Sequence, residues 1–280
     1  MEVNNKKAIT LLMICLLSLN AIYSQNKLRG NKIVVSEDRG ISEFSAIEVK
    51  DKIEVVLVQG GNQSVTVETD ENLQLAVVTD VVSGTLVIKL SKRIIKKKAL
   101  TVFITIDENI KEITAKDRAD VKGDGPFHFE TLTINAEGDS KITMDIKSEE
   151  FTLNNNESAN VNLTVNTNNS TINANSRGRS KINLSSKTVE VATLGNSTTE
   201  LIGDCEDVFV TAENKSAVKA GKLECNTVIV NASDASDVFI NAKESLTISA
   251  INSAEVYIYG NPTITIEKFA DKAILRKKQL

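Results

Sequence analysis

A period of about 19 residues governs the second half of this chain. Leu132, Phe151, Ser170, Val189, Val208, Val228, Leu246 and Ile264 stand 19, 19, 19, 19, 20, 18 and 18 residues apart. Two residues after each start come Ile134, Leu153, Ile172, Val191, Val210, Val230, Ile248 and Ile266, all β-branched or Leu. Four residues after the starts, Ala136, Ala174, Ala212, Ala232 and Ala250 recur, with Asn155, Thr193 and Lys268 in the other copies. A Ser follows seven to ten residues after each of the first seven starts: Ser140, Ser158, Ser180, Ser197, Ser216, Ser236 and Ser253. A second alternating run then begins, as in Ile142–Ile146 and Val161–Val165. A looser copy precedes the series, from Ile113 to Val121.

Period-2 alternation means strands with one buried face. No 3.6-residue stripe persists anywhere, so helices are not expected. A unit of about 19 residues cannot bury its own apolar face, and successive units must stack. Stacking places equivalent residues one strand spacing apart, about 4.8 Å. The expected fold is an all-β parallel β-solenoid, or β-helix, right-handed by the crossover rule for parallel strands. Its core is the Val/Ile/Leu columns, with the Ala and Ser columns in tight corners. Asn135, Asn154, Asn173 and Asn231 lie between the inward positions. They either face solvent, which the alternation favours, or form an amide ladder.

Residues 25–112 are strand-rich without a visible period. Ile47 and Val49, then Ile53, Val55 and Leu57, alternate before the turn Gln59-Gly60-Gly61-Asn62, and Leu86 and Ile88 follow the turn Ser83-Gly84-Thr85. This part reads as a cap or as irregular first coils, continuous with a solenoid over 113–280. A solenoid end needs covering, because a bare edge invites aggregation.

Residues 1–24 read as a secretory signal peptide. Lys6 and Lys7 precede an apolar run from Ala8 to Leu19, with cleavage expected after Ser24. The run falls short of the ~20 residues that span a bilayer, so no transmembrane segment is expected after cleavage. Cys15 follows Leu12-Met13-Ile14, which does not suit lipidation. Cleavage changes the formal charge from −4 to −5, too mild to argue for nucleic acid or an anionic membrane.

Composition removes several chemistries. One His and three Cys are too few for a His-based zinc site or a disulfide framework. A Ser-His-Asp triad would have to use His128, which alternates with Phe127 and Phe129 and reads as an exposed strand residue. Asp117, Asp120, Asp124 and Asp139 surround Gly-rich turns, yet lack a calcium-loop spacing. Arg177, Arg179 and Lys181 have no accompanying Asp column of the kind a polysaccharide-cleaving β-helix needs. No cofactor or metal is expected.

Two features remain as candidate sites. Lys89, Lys92, Arg93, Lys96, Lys97 and Lys98 crowd one ten-residue stretch. They form either a solvated edge or an electrostatic patch for anionic glycans or a lipopolysaccharide surface. Cys205 and Cys225 each stand three residues before a coil start, at Val208 and Val228. Stacking therefore sets their Cα atoms roughly 5 Å apart, within disulfide range. The pair is either bonded, as an oxidising compartment permits, or two stacked small residues.

Phe44-Ser45-Ala46-Ile47-Glu48-Val49, then Ile53–Leu57, then Val65-Thr66-Val67-Glu68 with Glu71-Asn72-Leu73, resembles the opening of the head GIN domain. That is an auto-transporter adhesin family of exported Bacteroidetes proteins. Gly84–Ile88 and Val102–Ile106 continue the resemblance, and Val256-Tyr257-Ile258-Tyr259-Gly260-Asn261-Pro262 resembles its closing stretch. It covers roughly residues 40 to 278. The resemblance implies a β-helical fold and an exported location, and supplies no catalytic residues. Family repeats often carry Gly at the small turn, where this chain has Ala or Asn.

The sequence thus leads to a non-enzymatic binding or scaffold protein, placed in the periplasm, on the outer surface or outside the cell, with glycans or envelope components as partners and adhesin-like by resemblance. The alternative is a polysaccharide-active enzyme on the same scaffold. Paired carboxylates in a groove would favour the enzyme; a flat face of Asn, Ser and Thr favours binding.

Overall fold

The computed structural model describes residues 27–279. The expected signal segment, with Cys15, lies outside them. The chain is 68% strand and 2% helix, and its strands stack as a β-solenoid of about nine turns set about 19 residues apart. Each column of the sequence repeat is a column in space. Leu132 pairs with Phe151, and the series continues in register through Ser170, Val189, Val208, Val228, Leu246 and Ile264.

Every coil has two strand faces. Thr131–Ala136 and Glu150–Asn155 lie on the first face, and Lys141–Lys147 lies on the second. From Asn160 onward one long strand carries the second face of one coil into the first face of the next, as in Asn160–Ala174 and Thr198–Ala212. Alternation sends Ile172, Val191, Val210 and Val230 fully inside, where removal of apolar surface from water is the main stabilising term.

The corner between the faces is a stack of left-handed residues. Asp51, Asp117, Gly138, Glu157, Ser176, Gly195, Asn214, Asp234, Asn252 and Asp271 all have φ between 57° and 81°. Asp and Asn dominate because their short side chains tolerate this region better than other non-glycine residues.

Three expectations about the columns are corrected. First, from Asp117 to Asn252 the small residue two positions beyond each left-handed residue forms the buried corner column: Ala119, Ser140, Ala159, Gly178, Ser197, Ser216, Ser236 and Ala254. Ser158 and Ser253 stand one position too early, and Ser180 lies within a strand, opposite Val161 and Thr199. The column selects for size rather than for a hydroxyl, so Ala or Gly replaces Ser in it. Second, a register shift after Ile248 sets Lys268 opposite Ser249, so Phe269 ends the Ala column. Third, Ile264 and Ile266 keep their register but are 43% and 51% exposed, because no coil covers them.

The Asn column both faces outward and forms a ladder. Asn154 Nδ2 donates to Asn135 Oδ1 at 2.9 Å, and Asn173 Nδ2 donates to Asn154 Oδ1 at 3.0 Å. The side chains face outward, and the strand spacing is within amide reach, so the ladder forms at the surface. It stops where Ala192 follows Asn173, which leaves Asn231 apart.

At the start of the chain, spatial order departs from chain order. Ala46–Val49 lies between Thr85–Leu90 and Glu112–Ala115, and Glu54–Gln59 lies between Leu100–Ile106 and Asp120–His128, all parallel. The end is then closed by antiparallel strands. Ser64–Asp70 pairs with Leu100–Ile106, Val34–Arg39 pairs with Ser64–Asp70, and Val77–Val82 pairs with Thr85–Leu90. The last pair is a hairpin through Ser83 and Gly84, both at positive φ, the turn that matches strand twist. The turn at Gln59–Asn62 joins strands that are not partners, because Leu100–Ile106 is inserted between them.

Candidate functional site

The basic stretch lies at the capped end. Arg93–Lys96 forms a strand parallel to Lys27–Arg29, and Lys89, Lys92, Arg93, Lys96, Lys97 and Lys98 are all exposed. A cleft of about 970 Å³ separates this segment from the left-handed corner. Lys92, Arg93, Ile94 and Ile95 line it together with Asp51, Asp117, Asp139, Lys52 and Arg118. Of the six basic residues Lys92 and Arg93 share this cleft with the acidic turns, and its lining is mixed in sign. Although Lys97 as a whole is exposed, partial desolvation of its ammonium, reinforced by the charge of Lys52, holds it below its usual range, against the pull of Glu54. Arg276, Lys277 and Lys278 lie at the opposite end of the stack, on or just beyond a strand paired with Glu255–Tyr259.

His128 is exposed between buried Phe127 and Phe129. Its backbone N–H and carbonyl are held by the Gln59 side chain, at 2.7 and 3.0 Å. Arg177 Nε donates to Ser158 Oγ at 3.2 Å, and Lys181 is the register partner of Glu200. Neither cluster assembles a nucleophile with a base.

A second site opens where coil length changes. Lys219 follows Glu200 in register, but Ile202 pairs with Lys222, so Ala217–Ala232 carries one extra residue. The next strand is shorter: Ala220 pairs with Ile240 and Glu224 with Asn241, which leaves Gly221, Lys222 and Leu223 without partners on that side. A bulge of this kind disrupts the ladder and redirects nearby side chains. The gap is a notch of about 400 Å³ on the outer second face. Ile202, Gly221, Phe239 and Tyr259 form its apolar lining, and Glu200, Lys219, Lys222 and Gln279 add polar groups.

Aromatic packing frames the notch. The rings of Phe239 and Tyr257 stack with centroids 4.3 Å apart and planes 5° apart. Their Cα atoms are register partners on adjacent coils, so strand spacing sets the stacking distance. Arg276 and Lys278 stand over the Tyr257 ring, 5.8 and 5.1 Å from its centroid, in cation–π range. The Tyr257 hydroxyl donates to Glu255, which holds the phenol above its usual pKa, and burial adds to the effect.

Cys205 and Cys225 are register partners, their Cα atoms 4.6 Å apart and their sulfurs joined in a disulfide. The bond ties the bulged strand Ala217–Ala232 to Thr198–Ala212 before it. Sequence reasoning passed over the notch although its signals were present. The spacings 20, 18 and 18 mark the change in coil length, and Phe239, Tyr257 and Tyr259 concentrate there in a chain with few aromatics.

Solved structures share this architecture. A protein from Parabacteroides merdae described as a "putative adhesin" superposes with a TM-score of 0.69 at 17% identity, over 90% of this chain and 99% of its own. A "Putative lipid binding protein" from Parabacteroides distasonis gives 0.65 at 17% identity, over 90% and 99%. A further "putative adhesin" from the same species gives 0.65 at 14%, over 89% and 99%. At these identities the likeness establishes the fold. No curated protein matches the chain. The family described as "Putative auto-transporter adhesin, head GIN domain" matches residues 43–184 and 153–262, two overlapping stretches that together span most of the coils, and the chain belongs to that family.

Proposed function

We propose that this protein is a non-enzymatic binding scaffold of the cell envelope, exported by residues 1–24, that holds a glycan along the outer faces of its coils. The observation that carries this reading is the alignment of outward side chains. Asn162, Lys181, Glu200, Lys219, Phe239, Tyr257 and Arg276 follow one another in register, one per coil. Polar, charged and aromatic groups repeated at strand spacing suit an extended ligand that offers its own groups at intervals. A hydrogen-bonded solenoid presents them with little loss of conformational freedom on binding.

Export is consistent with family membership and with the disulfide, since such bonds persist in oxidising compartments. The test is a glycan array on residues 25–280 with product analysis of every retained glycan. Retention of intact glycan is expected. Cleaved products would replace this reading with that of a polysaccharide-active enzyme on the same scaffold. Mass analysis of the exported protein should find Gln25 at its N-terminus.

A further inference from the structure

We propose that the notch beside Phe239 and Tyr259 is a subsite for an acidic sugar, a pyranose bearing a carboxylate. This rests on the glycan-binding reading and assigns it a place and a ligand class.

Three observations converge on the notch. Its lining is apolar and aromatic, and its volume of about 400 Å³ lies in the range of small-ligand sites. One face of a pyranose carries mainly C–H groups and packs against aromatic carbon, while its hydroxyls seek polar partners at the edge. Phe239 and Tyr259 offer the first surface; Glu200 and Gln279 offer the second.

The charge at the rim supplies the carboxylate preference. Lys219 and Lys222 both line the notch. Among the described residues neither ammonium has an ion-pair partner within 4.0 Å, whereas Lys243, exposed one strand further on, is paired with Glu224 at 3.0 Å. Arg276 and Lys278 add positive charge beside Tyr257. One acid, Glu200, lines the notch against two lysines. The notch is also open on the outer face, which suits one residue of a continuing chain. An acyl chain would gain little from a site left in contact with water.

The chain provides its own probe. Residues 25–280 contain no Trp, and their two tyrosines are Tyr257 and Tyr259, so tyrosine emission reports on this region alone. The mature protein should be titrated with a galacturonate tetramer, with its neutral methyl ester, and with phosphatidylglycerol vesicles. Retention of each sugar should be measured separately by equilibrium dialysis.

The acidic tetramer is expected to change the emission saturably, and the methyl ester to bind more weakly. Replacing Lys219 and Lys222 with Ser should weaken binding by up to about fivefold for each lysine, with the melting temperature retained because both side chains are exposed. Phe239→Ala should weaken both sugars by about tenfold. Equal affinity for the ester, or an effect of vesicles in place of sugar, overturns the ligand class. Retention of the tetramer with unchanged emission overturns the location and leaves the wider glycan reading standing. No response to either sugar overturns this proposal, while the array decides the wider reading independently.

Discussion

The ring of Tyr259 occupies the space that a side chain at Gly221 would need: a Cβ at residue 221 would stand 2.7 Å from Tyr259 Cε2. One strand separates the two residues, and the contact exists because the bulge leaves Gly221 unpaired on that side. Gly221→Ala should therefore push the ring aside and change tyrosine emission. Stability should fall by less than about 1 kcal/mol, since a surface side chain can move. Unchanged emission would show that Tyr259 does not rest on this glycine.

Cys205 and Cys225 close a loop of sequence separation 20. Replacing both with Ser should cost about 3 kcal/mol by loop-closure entropy, read as a lower midpoint in denaturant. Thiol counting on unfolded residues 25–280 should find none without reductant and two with it. Two free thiols without reductant would mean that the stack tolerates the pair unbonded.

Val210 and Thr211 are neighbours with opposite fates, one fully buried in a column of Val and Ile and the other partly exposed on the outer face. Val210→Asp should bury an uncompensated charge and cost several kcal/mol. Thr211→Asp should cost about 0.5 kcal/mol. Similar melting temperatures would contradict the register.

Asn154 both donates to Asn135 and accepts from Asn173. Asn154→Ala removes both bonds and should cost about 1–2 kcal/mol. In a double-mutant cycle with Asn135→Ala the double variant should lose less stability than the two single losses added together. Strict additivity would make the ladder a geometric coincidence without energetic content.

Asp70 ties the capped end together. Burial raises its pKa, but backbone N–H groups of Lys98, Lys32 and Ala99 donate to its carboxylate and hold the value below normal on balance. A depressed pKa means that the folded state favours the charged form. Its stabilising effect is complete above the unfolded value of about 3.9 and disappears as pH falls through the folded value. Asp70→Asn should cost about 1.5–3 kcal/mol at pH 7. The gap between variant and parent should narrow below about pH 4. A gap that stays constant with pH would mean that the carboxylate charge plays no part.

How much could be read from the chain follows from what periodicity encodes. From Leu132 onward, a spacing of about 19 residues states which residues share an environment, and a parallel in-register stack converts that directly into neighbours. The columns through Leu132 and Ile134 were legible for this reason, as was the proximity of Cys205 to Cys225. Smaller irregularities were blurred. Lys268 and Phe269 differ by one residue, and a bulge decided between them. Ser158 and Ser180 matched the repeat in type while missing it in position.

By itself the sequence determined the class of fold, the membership of the core columns and the alternation of inward and outward faces, because all three depend on local period. Tertiary structure alone decided which strand lies beside which at the capped end, where Leu100–Ile106 inserts between Glu54–Gln59 and Ser64–Asp70. It also decided that Lys92 and Arg93 share a cleft with Asp51, Asp117 and Asp139, and that Phe239, Tyr259 and Gly221 share one notch. In each case the partners lie far apart in sequence and follow no repeat. Their meeting is set by how coils of unequal length and antiparallel caps close around the shared core, a free energy summed over the whole stack that no short stretch carries.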